Sequence, residues 1–294
     1  MAAARLVTAP VVLGHIRAAY DGPLILMKGL EVADAYGDPV LRPFADIDLL
    51  VPDADAVQQA LVARGFEPIG DSEAFVGKYH RAPLVFPGLP LPIEIHQTPK
   101  WVDGVPAPAG ELFSLAVQSR AAPQGVLALP RPHHAMILAA HSWAHEPLRR
   151  ALDLVDIAAL IRDVERSELR AVARAYGLSR VWRVTEAAMD SLLGGAAPPF
   201  ALRLWARNLL DLRERTVLEA HLTRWLSPFW SLPLGRAAGS FASTMVGDLR
   251  PGAQESWREK ALRTRTAIRN ASVARSEHER DLEIAARTRS SETL

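Results

Sequence analysis

The chain has 294 residues, 34 Lys and Arg against 33 Asp and Glu, a formal charge of +1 and no cysteine. Zero cysteine excludes disulfides, thiolate zinc sites, iron–sulfur clusters and cysteine nucleophiles, and the balanced charge argues against a protein that works chiefly by coating nucleic acid. With 49% hydrophobic and 23% charged residues, a chain of this length buries roughly three quarters of its unfolded surface, enough for a globular protein of one or two domains.

Taken in order, the first twenty residues are mildly apolar but interrupted by Pro10 and Gly14, without the clean run and cleavage site of a signal peptide. No stretch reaches the ~18 uninterrupted apolar residues of a membrane span. Residues 225–245 come nearest, broken by Pro228, Pro233, Gly235 and Arg236. The expectation is a cytoplasmic protein with no membrane partner. Up to about residue 120, short β-rich runs at 23–28, 46–51, 78–86 and 91–97 alternate with helical stretches at 29–36 and 54–64. Asp53 reads as the N-cap of the second helix and Gly65 as its stop. The run Pro87-Gly88-Leu89-Pro90 reads as a hairpin turn. Residues 123–132 form the joint to a second half of helical periodicity, with helices expected at 133–144, 148–162, 167–176, 179–193 and 199–225, separated by Gly177 and Gly194-Gly195. Residues 250–294, charged with both signs, read as a solvated helix and a tail.

Chemistry concentrates where an apolar strand, Leu24-Ile25-Leu26-Met27, runs into Lys28-Gly29 and a helix follows. A glycine there permits close backbone approach, a helix start favours an anion, and Lys28 adds a mobile positive charge suited to phosphate. It is one of four lysines, with Lys78, Lys100 and Lys260, in a chain that otherwise uses arginine. Downstream, Asp46-Ile47-Asp48 opens an apolar strand. Strand alternation puts Asp46 and Asp48 on one face, where two carboxylates repel unless a cation or proton lies between them. Magnesium, which prefers oxygen ligands, suits that position. Glu94, between Ile93 and Ile95, is the candidate third carboxylate, and His96 shares its face.

The order of these features resembles the polymerase-β-like nucleotidyltransferases, and within them a branch of bacterial proteins with Lys-Gly where the superfamily has Gly-Ser. The matching residues are Met27-Lys28-Gly29, Tyr36, Asp38-Pro39, Leu41-Arg42, Asp46-Ile47-Asp48-Leu49-Leu50-Val51 and Glu94-Ile95-His96, with His141 and Leu152-Asp153-Leu154 in the helical half. The resemblance covers about residues 20–160. It implies an α+β fold, with a small mixed β-sheet nucleotidyltransferase domain (1–122), an all-helical domain (123–250) and a charged C-terminal helix and tail (251–294). It further implies transfer of a nucleotidyl group from a nucleoside triphosphate such as ATP to a hydroxyl or phosphate acceptor, with release of pyrophosphate. Asp46, Asp48 and Glu94 would hold two magnesium ions, with manganese as the alternative. Lys28, Gly29 and Arg42 would meet phosphate. His96 reads equally as a phosphate or acceptor contact and as a satisfied strand histidine. The charge balance favours a small-molecule or peptide acceptor over nucleic acid. A scaffold that keeps the fold without turnover, and a toxin-like transferase acting on RNA or protein, are the alternatives.

His141 and His145 lie one helical turn apart, a spacing zinc can use, but Ser142 and Ala144 stand where a zincin or its inverted form has Glu. His141 reads rather as packing against the sheet or reaching toward the acceptor. Arg149, Arg150, Asp153 and Asp156 read as helix-surface ion pairs of small value. Trp182, Trp205, Trp225 and Trp230 read as core rather than as a base-stacking platform. P-loop, Rossmann and serine-hydrolase motifs are absent.

Overall fold

The computed structural model describes residues 2–70, 81–252 and 255–270. The chain forms two compact units, one of Met1–Ala144 with Val155–Ser179, the other of His145–Leu154 with Arg180–Leu294.

The first unit opens on a helix that composition alone did not announce, α1 (Ala2–Ala19). Its Ala9, Val12, Leu13 and Ile16 are fully buried, the i, i+3, i+4, i+7 stripe of a helix lying on a core. Then follow β1 (Ile25–Leu26), α2 (Leu30–Asp34), a 3₁₀ turn at Pro39–Leu41, β2 (Ile47–Leu50), α3 (Ala54–Ala63) and β3 (Glu67–Pro68). The Asp53 side chain accepts from the Ala56 N–H at 3.0 Å, the cap read from the sequence. Beyond residue 80 come β4 (Leu84–Phe86), β5 (Leu89–His96), α4 (Ala109–Leu115), β6 (Val117–Gln118) and β7 (Leu127–Ala128). The hairpin turn is Pro87-Gly88, two residues tighter than expected, with Gly88 at φ 80° and Phe86 paired to Leu89. The expected strand positions 78–80 lie outside the described residues.

The seven strands make one mixed sheet in the order β3-β4-β5-β2-β1-β7-β6. At its centre β2 runs parallel to β5 and antiparallel to β1. β2 is buried along its whole length: Ile47 and Leu49 join α1, Ile93 and Ile95 in one core cluster, and Leu50 is buried as well. The two-residue strands β3, β6 and β7 are too short to show alternation in the sequence. The helices α5 (Arg131–His145), α6 (Ala151–Leu160), α7 (Arg166–Ala175) and α8 (Ser179–Gly194) follow, as the α+β reading with a helical second half expects.

In the second unit the single helix expected at 199–225 is instead three: α9 (Phe200–Leu204), α10 (Arg207–Leu210) and α11 (Val217–Leu226). Leu212 takes φ 46°, which ends α10. A capping box at Thr216 and Glu219 then starts α11 afresh. Trp182 and Trp205 are buried, and Trp205 meets Trp230 edge-on at 5.6 Å. α12 (Pro228–Ser231), α13 (Leu234–Leu249) and α14 (Trp257–Arg269) complete the described chain, and α14 has no buried residue. The tail expected from 271 onward lies outside the described residues. No helix among the described residues is long and apolar enough to cross a membrane.

Candidate metal and phosphate site

The turn after β1 is fixed by Gly29, at φ 61° and ψ −117°. A Cβ there would stand 3.0 Å from the Asp46 carbonyl oxygen and 3.5 Å from the Phe44 ring, so any side chain at this position is strained. The Met27 N–H donates to the Asp48 carbonyl at 3.0 Å, and buried His134 donates from Nε2 to the Met27 carbonyl. Burial holds the His134 imidazole below its usual pKa, in keeping with a neutral donor. The Lys28-Gly29 turn is thereby held against the start of β2. Its helix, α2, has five residues.

In the parallel pair β2–β5, Asp48 stands opposite Glu94 and Leu50 opposite His96. Asp48 and His96 are 3% and 2% exposed, while Glu94 is half-buried. His96 Nε2 lies 3.2 Å from Asp48 Oδ1 and 3.6 Å from Glu94 Oε2. One ligand atom from each of Asp48, Glu94 and His96 falls within 4.8 Å of the others, a group able to hold a metal ion. Asp46 stands at the mouth of β2. Its carboxyl is pushed up to about 6 by burial and by the charges of Asp48 and Glu94, against the pull of Lys28 and Arg42. Asp48 goes the other way. Burial alone would raise it, but the Lys28 charge and the bond from His96 hold it well below the usual carboxylate range. The His96 imidazole is opposed by burial yet raised by Asp48 and Glu94, which favours the imidazolium.

Asp46 therefore holds its proton to higher pH than an exposed aspartate, chiefly because it is buried and secondarily because Asp48 and Glu94 add negative charge beside it. The group able to hold a metal ion has His96 where the sequence led to the expectation of Asp46; its two carboxylates offer oxygen donors of the kind magnesium or manganese takes, and His96 is bonded to Asp48.

Lys28 Nζ donates to His141 Nε2 on α5 at 2.6 Å. An ammonium therefore stands where zinc would have to approach His141, and the metal-competent group among the described residues is the one on β2 and β5. Arg42 is bound to a carboxylate that the sequence reading misjudged. Asp156 on α6 is not a surface ion-pair residue but is 4% exposed. It takes Arg42 Nη2 at 2.7 Å, Arg42 Nε at 3.1 and 3.2 Å, and the Tyr36 hydroxyl at 2.6 Å. An acid inside the apolar run Leu154–Leu160 was the signal available for it. Lys100 was missed as well: burial and the Lys28 charge lower its pKa while Glu94 raises it, so it shares the field of both. The rarity of lysine in this chain was its one mark.

A mixed sheet carrying coupled carboxylates on neighbouring strands, beside a lysine turn, fits a nucleotidyltransferase. Residues 16–193 match a family described as uncharacterised nucleotidyltransferase, and since they make up more than half of the chain, the protein belongs to that family. No curated protein and no solved structure matches the chain.

Proposed function

We propose that the protein is a magnesium-dependent nucleotidyltransferase, of the branch with a Lys-Gly turn before an Asp-x-Asp strand, that moves a nucleotidyl group from a nucleoside triphosphate to a hydroxyl or phosphate acceptor and releases pyrophosphate. The observation that carries this reading is the convergence of Asp48 and Glu94 with His96 across the paired strands β2 and β5, with Asp46 and Lys28 close enough for their charges to act there. In this proposal the three carboxylates hold two magnesium ions, or manganese in their place. When bound, divalent ions supply neutralisation of phosphate charge and a lowered pKa at the acceptor oxygen. His96 donates to Asp48 and fixes its orientation. Gly29 lets the turn close on β2, and Lys28, aimed by His141, meets the triphosphate. Arg42, held by Asp156, contributes its charge at Asp46, and Lys100 adds a further cation in the field of Glu94. A chain close to neutral overall suits a small-molecule or peptide acceptor better than a nucleic acid.

The test is incubation with each α-labelled nucleoside triphosphate and magnesium, beside the Asp46→Asn/Asp48→Asn variant. Pyrophosphate release by the wild type and not by the variant supports the assignment. Saturable nucleotide binding without release, unchanged in the variant, would make the protein a nucleotide-binding scaffold instead.

A further inference from the structure

Arg42 occupies an unusual position for a cation. It lies four residues before Asp46, on the coil that leads into β2, with its side chain 12% exposed. A guanidinium matches carboxylates in two-point geometry better than any other side chain. The charge of Asp46 reaches it, and the repulsion that Asp48 and Glu94 exert on Asp46 would be relieved by a cation placed among them. The arginine nevertheless points to a fourth carboxylate, 114 residues away in the chain: Nε and Nη2 go to Asp156, and Nη1 donates to the Pro43 carbonyl. The Tyr36 hydroxyl closes the arrangement from the far side of Asp156 Oδ1. Fixing two carboxylate oxygens with an arginine and a tyrosine is more than charge balance requires. It sets the direction of the guanidinium.

Resting on the nucleotidyltransferase reading, we propose that Asp156 is a positioning residue that holds Arg42 off the carboxylates, so that an internal cation does not fill the place a divalent ion takes. Loss of the Asp156 charge leaves a half-buried guanidinium without its anion, and such a group seeks the nearest one. Asp46, four residues along the chain, is the carboxylate besides Asp156 whose charge acts on Arg42. Asp156 thus keeps the site open by occupying an internal competitor, and Tyr36 stabilises Asp156 in that task.

Mn²⁺ binding to the full-length protein, followed by electron paramagnetic resonance, tests this without any need for turnover. Asp156→Asn is expected to weaken Mn²⁺ by about tenfold or more. The double variant Arg42→Gln/Asp156→Asn, which removes the competitor as well, is expected to bind within about threefold of wild type. Such a rescue is not produced by a role confined to stability. Tyr36→Phe, which leaves both charges in place, is expected to weaken Mn²⁺ by about two- to threefold, and it carries the test should Asp156→Asn not fold. Wild-type affinity in Asp156→Asn or, in that case, in Tyr36→Phe overturns the proposal, as does a double variant as weak as Asp156→Asn. A wild-type protein that binds no Mn²⁺ overturns the nucleotidyltransferase reading and this inference together, whereas the outcomes above leave that reading standing.

Discussion

Asp48 and Glu94 face one another across the parallel strands β2 and β5, and His96, two residues beyond Glu94, turns Nε2 toward both. Parallel pairing in this register places side chains 46 positions apart on one face of the sheet. Asp48 is buried and held ionised, so its charge must be met by Lys28 and His96 or by an added cation. The consequence can be measured on His96. Exchange to Gln keeps a donor of similar size and removes the charge. Outer partners of metal ligands contribute about 10- to 100-fold in affinity, so His96→Gln should weaken Mn²⁺ by that order in calorimetry, while Asp48→Asn should abolish binding. Equal affinities for wild type and His96→Gln would show that the imidazole has no part in the site.

Gly29 couples the Lys28-Gly29 turn to the start of β2 through sterics. Alanine there would combine φ 61°, ψ −117° with a Cβ contact of 3.0 Å to the Asp46 carbonyl. Strain of this kind costs about 1–3 kcal/mol, and its relief must move either the turn or Asp46, the residue just before β2. Gly29→Ala should therefore lower the melting temperature by several degrees and also weaken divalent binding. A variant with lowered stability and unaltered Mn²⁺ affinity would separate the turn from the site.

In the second unit Glu219 has two tasks. It accepts from the Thr216 N–H and hydroxyl at 2.7 and 2.9 Å, and from Arg213 Nη1 and Nη2 at 2.8 and 2.7 Å. Burial alone would raise its carboxyl, but these donors hold it below its usual value of 4.5. A depressed folded-state pKa means that the unfolded chain binds more protons in the acid range. The stabilisation is present above about pH 4.5 and is lost as pH falls through the folded value. Glu219→Gln should cost about 1–3 kcal/mol at pH 7 and progressively less below pH 4, read from urea unfolding across that range. A penalty independent of pH would remove the ionised carboxylate from the account.

How far these relationships were legible in the sequence depended on their range along the chain. Asp53 capping α3, the Pro87-Gly88 turn and the alternation around Glu94 are local, and local rules found them. Asp46, Asp48 and Glu94 could be named because each is a charge in an apolar strand, where burial without purpose is costly. Asp156 has the same mark, yet on a helix a lone acid has a solvent face available, and the choice between faces is made by Tyr36 and Arg42 more than a hundred residues earlier. Lys100 follows β5 in irregular chain, where no periodicity assigns a direction. The break of the 199–225 stretch at Leu212 was hidden because leucine is rarely found at positive φ.

Asp46 offers a prediction in which stability and function oppose each other. In the unfolded chain its carboxyl loses its proton near 3.8, and in the fold near 6, chiefly through burial and then through Asp48 and Glu94. Between those values the folded state binds more protons, so this group favours folding at low pH, and its contribution disappears as pH rises through 6. At pH 7.5 the wild-type protein therefore folds against an ionised Asp46 that the pocket does not fully accommodate. Asp46→Asn removes that charge and keeps the shape. Its melting temperature should exceed that of the wild type at pH 7.5 by a few degrees, within a ceiling of about 3 kcal/mol, and the advantage should shrink to nothing below about pH 4. The same variant should lose Mn²⁺ binding and pyrophosphate release. A residue kept at a cost to the fold, and needed for a cation, is what a binding site requires. An Asp46→Asn protein no more stable than wild type at pH 7.5 would mean that the carboxylates are accommodated by their own neighbours and have no room for an added ion.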